Sequence, residues 1–449
     1  MHHERSYVTG AILLASLTAA GSAWSDEPLP GTPPVLYWPQ SSYGGPVVSG
    51  SNFQPEHGTS PLGGLVNDDP YYQAKGIPIE GLRLYPSALT GISFDDNVYR
   101  SASSDRDDFF FTEAAGLQLV ASENRWLLDI YGDGALNRYD RYSDENTNDY
   151  SLGALGQYRL TSAANLSGQV SYSGLHESRE EVDTNPDQSE PTRYQEFRSS
   201  VNASYKPSWL GFTVGGSVDR YVFLDSPVFG GGPALDNKGR DQTIYSGFGQ
   251  FSADFSPGYS AFVRGSFNSD HPINQLGAPR STQGDEFDAG LRFLLSHTVE
   301  GEAYVGYLHQ EYISPLPDVS GLDFGADLTW YPTRLLTVKL SAGRQIQSTT
   351  LPLSSAGDSR YVLLSADYEL TRLIHLTARV NYDDINYVGS KPDRDDGTPR
   401  FGLGGRWIIS HYASLDIDYN YTKRWSTVSA APAATFKDNL VTAALNLQI

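Results

Sequence analysis

The chain has 449 residues, with 53 acidic and 32 basic side chains, a formal net charge of −21 at pH 7 and no cysteine. An acidic chain of this kind lacks the clustered lysine and arginine that hold a phosphate backbone, so we expect no nucleic-acid partner. The absence of cysteine excludes disulfides, thiolate zinc sites and iron–sulfur clusters. With 29 tyrosines and a mean hydropathy of −0.39, the chain is too polar for a helical membrane protein.

The first 79 residues predict two segments ahead of the folded body. Residues 1–23 are typical of a signal peptide, with Arg5 before a short apolar run and small residues at the end. An N-terminal anchor is the alternative, although the apolar run is shorter than the roughly 20 residues of a spanning helix. Residues 24–79 are rich in proline and glycine, which predicts an extended periplasmic segment, either a tether or an arm that plugs or docks against something.

From residue 80 to 449, apolar and polar residues alternate with period two, which predicts an all-β body. Near the C-terminus, for example, Val441 and Leu447 fall on one face of a strand, and Thr442 and Gln448 fall on the other. Eight short turns interleave with nine longer polar connections, and together they predict eighteen strands. A soluble propeller or jelly roll is the alternative, but it gives no reason for connector lengths to alternate.

The alternation of connectors predicts a transmembrane antiparallel up-and-down β-barrel of about 18 strands, preceded by the extended proline- and glycine-rich segment. An even strand number leaves both ends of the barrel in the periplasm of a Gram-negative bacterium. Closure of the sheet pairs every backbone group, as hydrocarbon requires. The expected surroundings are outer-membrane lipid and lipopolysaccharide, and the expected assembly partner is the barrel-assembly machinery.

Strand parity predicts which charged side chains line the lumen, and a barrel of this size leaves an aqueous channel. Acidic residues outnumber basic ones in this set, which favours cations or neutral solutes. Pairing of these charges across neighbouring strands, to hold the wall together, is an equally good interpretation. The predicted pore-lining residues are Asp129, Asp133, Arg159, Arg198, Asp219, Asp254, Arg264, Asp288, Arg292, Asp323, Asp327, Lys339, Asp367, Glu369, Arg379, Arg406, Asp416 and Asp418.

Acidic residues in the longer connections could in principle bind Ca²⁺ or Mg²⁺, but solvated loop charge is the better interpretation. These residues include Asp108, Glu145, Glu180 and Asp396. No nucleophile elbow, zinc-binding helix motif, phosphate-binding loop or dinucleotide fingerprint occurs in the sequence. We therefore expect no enzyme, no catalytic residue, no cofactor and no metal site.

The segment GLRLYPSALTGISFDDNVYR, residues 81–100, resembles the first strand of a family of outer-membrane β-barrel porins that are often encoded with exopolysaccharide or capsule genes. The likeness spans residues 80–449, although the chain ends in Ile449 rather than the terminal phenylalanine common among such barrels. The residues that carry it in the first strand are Pro86, Asp95, Asp96, Asn97, Tyr99 and Arg100.

The resemblance implies a passive conduit for secretion of an exopolysaccharide, working with periplasmic and inner-membrane polysaccharide synthesis and export proteins. A neutral or weakly charged glycan would suit the acidic lumen better than an anionic polymer. Two alternatives stay open. The first is a general diffusion porin for small solutes, and the second is a structural or adhesive barrel whose loops bind partners.

Overall fold

The computed structural model of the chain describes residues 74–102, 106–181, 185, 187–272, 281–295, 298–351, 353–428 and 434–449. The predicted signal peptide and most of the predicted proline-rich segment lie outside the described residues. Within these ranges, no helix has the length and hydrophobicity needed to cross a membrane.

The described residues form one antiparallel sheet of nineteen strands. The first ten are β1 (Ile77–Ile79), β2 (Leu82–Asp95), β3 (Asp108–Glu123), β4 (Trp126–Tyr139), β5 (Thr147–Arg159), β6 (Ala164–His176), β7 (Arg193–Tyr205), β8 (Leu210–Phe223), β9 (Gln242–Ser256) and β10 (Tyr259–Pro272). The other nine are β11 (Thr282–Leu295), β12 (Val299–Tyr312), β13 (Val319–Thr333), β14 (Leu336–Gln347), β15 (Ala356–Thr371), β16 (Ile374–Val388), β17 (Arg394–Ser410), β18 (Ala413–Ser426) and β19 (Phe436–Gln448). Two short 3₁₀ turns, Ser143–Glu145 and Lys238–Arg240, lie in the connections.

The sheet closes on itself into a barrel of eighteen strands. Each strand from β2 to β19 pairs with its neighbours in sequence, and β19 pairs with β2 from Leu440 opposite Asp95 to Gln448 opposite Ser87. The predicted antiparallel barrel and its strand number are therefore confirmed. The short β1 is an extra strand that the sequence did not predict, and it pairs with the start of β2, Ile77 opposite Leu84.

The connections alternate in length around the barrel, as predicted. Strands β9 and β10 are joined by residues 257–258 alone, whereas β8 and β9 are joined by residues 224–241. All short connections lie at one end of the barrel, here called the short-turn end, and all long ones lie at the other, the long-loop end. Side chains of different long loops can therefore contact one another only at the long-loop end.

The two faces of each strand have opposite character because side chains alternate across a pleated strand. On β11 and β13, Phe287 and Leu322 are 63% and 60% exposed, whereas the adjacent Asp288 and Asp323 are 0% and 1% exposed. The outer face of the barrel is thus apolar and exposed, and the inner face is polar and buried. Hydrocarbon is the solvent that suits this outer face, since a contiguous apolar surface of this extent is rare on soluble proteins.

Candidate functional site

The residues predicted to line the lumen all avoid the exposed outer face. Seven of them are buried, namely Arg264, Asp288, Asp323, Asp367, Arg379, Asp416 and Asp418. The others, Asp129, Asp133, Arg159, Arg198, Asp219, Asp254, Arg292, Asp327, Lys339, Glu369 and Arg406, are partly buried. Their apolar strand neighbours, such as Ile417 between Asp416 and Asp418, are exposed.

Three ion pairs join members of the predicted set across adjacent strands, and a fourth, Arg379–Asp418, reaches from β16 to β18 past β17. Asp416 of β18 accepts a hydrogen bond from Arg406 Nε of β17 at 2.9 Å and another from Asn446 Nδ2 of β19 at 2.7 Å. The N–O distances of the other three pairs are 2.9 Å for Arg264–Asp288, 3.5 Å for Arg198–Asp219 and 4.0 Å for Arg379–Asp418. These contacts favour the interpretation that charges on the inner face pair with each other along the wall.

Other predicted residues pair with side chains that parity reasoning did not single out. Asp254 accepts a hydrogen bond from Lys206 Nζ at 2.9 Å, and Asp129 accepts one from Gln118 Nε2 at 2.7 Å. Further ion pairs of this kind are Arg292–Glu302, Arg198–Glu196 and Arg264–Glu302. Glutamates on the inner face therefore compensate part of the positive charge there.

The pair Arg264–Asp288 lies in a buried cluster of carboxylates. Oxygens of Glu286, Asp288 and Asp323 lie within 4.8 Å of one another. Asp288 and Asp323 sit on β11 and β13 and are separated only by Gly306 of β12, which pairs with both. A Cβ at Gly306 would lie 2.2 Å from Asp288 Oδ1, so the glycine makes the room that lets the two aspartates approach.

The long connection between β6 and β7 reaches across the barrel. Glu180 in this connection is 9% exposed, and its carboxylate accepts a hydrogen bond from Arg400 Nη2 of β17 at 3.0 Å. The main-chain carbonyl of Glu180 accepts a hydrogen bond from Arg424 Nη1 of β18. By the shorter way around the sheet, β5, β4, β3, β2, β19 and β18 lie between β6 and β17. Glu180 therefore contacts the wall far from the strand that carries it.

The base of the same connection is tied to the neighbouring long loops. Arg179 forms a bidentate pair with Glu145 of the β4–β5 connection, with Nη2–Oε1 and Nε–Oε2 distances of 2.6 and 3.0 Å. Arg240, before β9, binds both carboxylate oxygens of Glu177, with Nη1–Oε2 at 2.8 Å. These pairs hold residues 177–179 on their own side of the barrel.

The residues that carry the family resemblance lie along the seam where β2 meets β19. At the short-turn end, the carbonyl of Pro86 accepts a hydrogen bond from the N–H of Ile449 at 3.3 Å. At the long-loop end, Asp96 accepts hydrogen bonds from the N–H and the side-chain amide of Asn439, at 2.7 and 2.6 Å. Asn97 Nδ2 donates to the carbonyl of Lys437 at 2.8 Å. The motif therefore fastens the first barrel strand to the last.

Arg100 connects this seam to the β6–β7 connection. Its Nη1 lies 2.9 Å from Asp95 and 3.0 Å from Asp438 of β19, and its Nε lies 3.8 Å from Glu180. The backbone of Arg100 has a positive φ of 51°, which turns the chain back so that the guanidinium reaches Asp95 and Asp438. Arg100 thus joins β2, β19 and Glu180 in one buried network.

Tyr99, the next motif residue, packs among charged and aromatic groups of the long loops. Its ring centre lies 5.3 Å from that of Tyr142, and the guanidinium carbons of Arg106 and Arg179 lie 5.0 and 5.6 Å from it. Burial, and then the nearby carboxylate of Glu145, raise the pKa of the Tyr99 phenol. The ring therefore stays neutral and packs against two cations.

The interpretation of the loop acids as solvated charge was wrong for four residues. Asp108, Glu145, Glu180 and Asp396 are 1%, 3%, 9% and 0% exposed. Each faces arginine or main-chain N–H donors inside the barrel mouth, as in the Arg394–Asp396 pair at 2.7 Å. Loop composition alone does not distinguish inward from outward charge, because burial depends on how the connection folds and on which donors it then meets.

No curated protein matches the chain in sequence. Among solved structures, it is similar to a mutant of the ferric enterobactin receptor PfeA from Pseudomonas aeruginosa, with 9% identity, a TM-score of 0.44, and 81% of this chain and 80% of that chain covered. It is also similar to OccK2 (OpdF) of the same organism, with 10% identity, a TM-score of 0.44 and coverage of 84% and 100%. For the siderophore receptor PirA from Acinetobacter baumannii the identity is 7%, the TM-score 0.44 and the coverage 81% and 80%.

The family model described as "Putative beta-barrel porin 2" matches residues 69–449, which confirms the family resemblance. The chain belongs to this porin family, and its closed barrel, apolar outside and polar inside, is an outer-membrane porin-like channel.

Proposed function

We propose that this channel passes small, uncharged polar solutes, such as simple sugars, by passive diffusion. The observation that carries the proposal is the crossing of the barrel by the β6–β7 connection, with Glu180 on Arg400 of β17. A segment held in this way narrows the path, so small solutes pass more readily than a polymer. The predicted pore-lining residues would form the wall of that path.

The pairing of charge along the inner face supports an uncharged solute. Arg264, Arg406 and Arg198 each have a carboxylate partner on an adjacent strand. Paired charges attract free ions less than isolated ones, yet their remaining lone pairs and N–H groups can hydrogen-bond sugar hydroxyls. Because acids are in excess in the predicted set, we expect a weak preference for cations among small ions.

Export of an exopolysaccharide is the second candidate, and the polar, hydroxyl- and amide-rich interior favours it. A chain of sugars needs a clear bore along the whole barrel, so the contacts of Glu180 would have to open during export. Periplasmic and inner-membrane synthesis and export proteins would then be partners. A purely adhesive barrel is less well supported, because its buried long-loop acids point to wall arginines rather than outward.

We further infer that the short-turn end faces the periplasm, that lipopolysaccharide surrounds the long-loop end, and that the barrel-assembly machinery inserts the chain. The long connections then lie outside the cell, as is usual for bacterial outer-membrane barrels. Protease digestion of intact cells would test this orientation, since cleavage is expected in the exposed parts of the long connections.

The test of the proposed function is permeation by the purified protein in phospholipid vesicles. Vesicles containing the protein are diluted into isotonic solutions of a monosaccharide, a disaccharide and a large dextran, and swelling is followed by light scattering. We expect swelling with the two small sugars and none with dextran. Failure of both small sugars to enter would overturn the proposal. Accumulation of polymer in the periplasm of a deletion strain would instead support export.

A further inference from the structure

We propose that Glu180 is a specificity-determining residue of the channel, which fixes the tip of the β6–β7 connection across the lumen and thereby sets both pore width and ion preference. This inference rests on the proposed function, since it assumes that solutes pass through the barrel. It concerns one residue whose partners are Arg100 of the β2–β3 connection, Arg400 of β17 and Arg424 of β18.

A tight turn presents Glu180 to the opposite wall. The carbonyl of Ser178 accepts a hydrogen bond from the N–H of Glu181 at 3.1 Å, and the Ser178 hydroxyl accepts one from the N–H of Glu180 at 3.1 Å. The turn thus satisfies the N–H groups of Glu180 and Glu181 locally. The carboxylate of Glu180 contacts Arg400 of β17, and its carbonyl contacts Arg424 of the adjacent β18.

The contacts of Glu180 are the ones that span the lumen. The ion pairs of Glu177 and Arg179 go to the β8–β9 and β4–β5 connections, and the Arg179 guanidinium also packs on Tyr99 of the β2–β3 connection. Loss of the Glu180 carboxylate therefore removes the contacts with Arg400 and Arg100 and loosens this part of the connection, which then meets the far wall only through the Glu180 carbonyl on Arg424, while its base stays anchored. The expected result is a wider path rather than an unfolded barrel.

The same carboxylate balances the charge of the surrounding arginines. Arg400 contacts Asp383 and Glu180, and Arg100 contacts Asp95, Asp438 and Glu180. Neutralising Glu180 leaves this buried group with one negative charge fewer and an unchanged number of arginines. An electrostatic potential that is more positive at a narrow point of a pore favours anions.

The experiment is single-channel recording in planar bilayers with the full-length protein and its Glu180→Gln variant. We expect conductance to rise at least about 1.5-fold and the reversal potential in a salt gradient to shift toward anions. The matched control is Glu190→Gln, which removes the same charge from the same connection at a side chain that is 40% exposed. We expect this control to behave as the unmodified protein does.

A second variant separates the role of the contact from any effect on folding. The chain contains no cysteine, so Glu180→Cys combined with Arg400→Cys introduces the only two thiols. In the folded, inserted protein, a short cleavable bifunctional thiol reagent is expected to join them and lower the conductance, and cleavage is expected to restore it.

The outcomes distinguish this inference from the proposed function. If the unmodified protein conducts but Glu180→Gln changes neither conductance nor selectivity, the inference is wrong and the channel function stands. Failure of the two thiols to be cross-linked overturns the inference in the same way, because the contact then does not exist in the inserted protein. If the unmodified protein passes neither ions nor small sugars, the proposed function itself fails.

Discussion

Arg264 on β10 and Asp288 on β11 form an ion pair from which water is excluded. Arg264 Nη2 and Nε lie 2.9 and 3.1 Å from Asp288 Oδ2, and the two side chains are 1% and 0% exposed. The guanidinium also lies 4.8 Å from the ring centre of Tyr304. Arg264 thus supplies the cation for Asp288, one member of a group of three buried carboxylates.

Removal of Arg264 should destabilise the barrel strongly. In Arg264→Leu, Asp288 stays buried beside Glu286 and Asp323 without its cation, and we expect a loss of about 3–5 kcal/mol in the free energy of unfolding. The double variant Arg264→Leu with Asp288→Asn should recover part of this loss, since one buried charge is gone. Urea titration of protein folded in phospholipid vesicles measures both. Equal stability of the two variants would show that the carboxylates do not depend on the arginine.

Gly306 should tolerate no side chain. An added Cβ would lie 2.3 Å from the main-chain oxygen of Phe287, and since backbone cannot move aside cheaply, we expect Gly306→Ala to cost about 1–3 kcal/mol. The control is Gly156→Ala, because a Cβ at Gly156 on β5 meets nothing within 4 Å. The urea midpoints of the two variants provide the comparison, and equal midpoints would contradict the prediction.

The closing seam should depend on Asp96. Asp96→Ala removes two hydrogen bonds to Asn439, one of them to a main-chain N–H, and we expect a loss of about 1–3 kcal/mol. Folded barrels migrate faster than unfolded ones in SDS gel electrophoresis. The heating temperature at which Asp96→Ala unfolds and loses this faster migration should be lower than for the unmodified protein. Asp140→Ala, at an exposed position just after β4, should leave that temperature unchanged. An unchanged value for both variants would mean that backbone pairing alone holds the seam.

The outer face should reject charge in the middle of a strand but not at its end. Val305 lies mid-way along β12 and is 53% exposed, so Val305→Arg places a cation in hydrocarbon at a cost of about 2–4 kcal/mol. Ile313, just after the same strand, is 41% exposed, and Ile313→Arg should cost far less. Folding yield into vesicles measures the difference. Similar yields would indicate that this face does not meet lipid.

Strand number and the alternation of connectors could be predicted because both depend on local sequence. Period-two patterning decides which face of a strand each side chain occupies, and Asp288, Asp416 and Asp418 are buried while their apolar strand neighbours are exposed. Turn-forming residues between two apolar runs identify a short connection, and this needs no information from distant parts of the sequence.

The Glu180 network could not be predicted because its members are distant in sequence. Glu180 and Arg400 are separated by 220 positions, and nothing near Glu180 distinguishes it from a solvated loop acid. Strand parity places Arg400 and Arg424 on the inner face of the barrel, and Arg100 lies close to it. Parity does not show which of these arginines a long connection will contact, so the path of the connection could not be predicted. The role of Gly306 was missed as well, since a glycine in a strand gives no sign of what approaches it.

The pairing of β19 with β2 has a consequence for biosynthesis. The two strands of this seam are the first and last of the barrel to be made, so a growing chain carries two unpaired edges until its final strand is available. Without β19, β2 keeps its pairing with β3 but its other edge stays open from Ser87 to Asp95, and an open strand edge promotes aggregation.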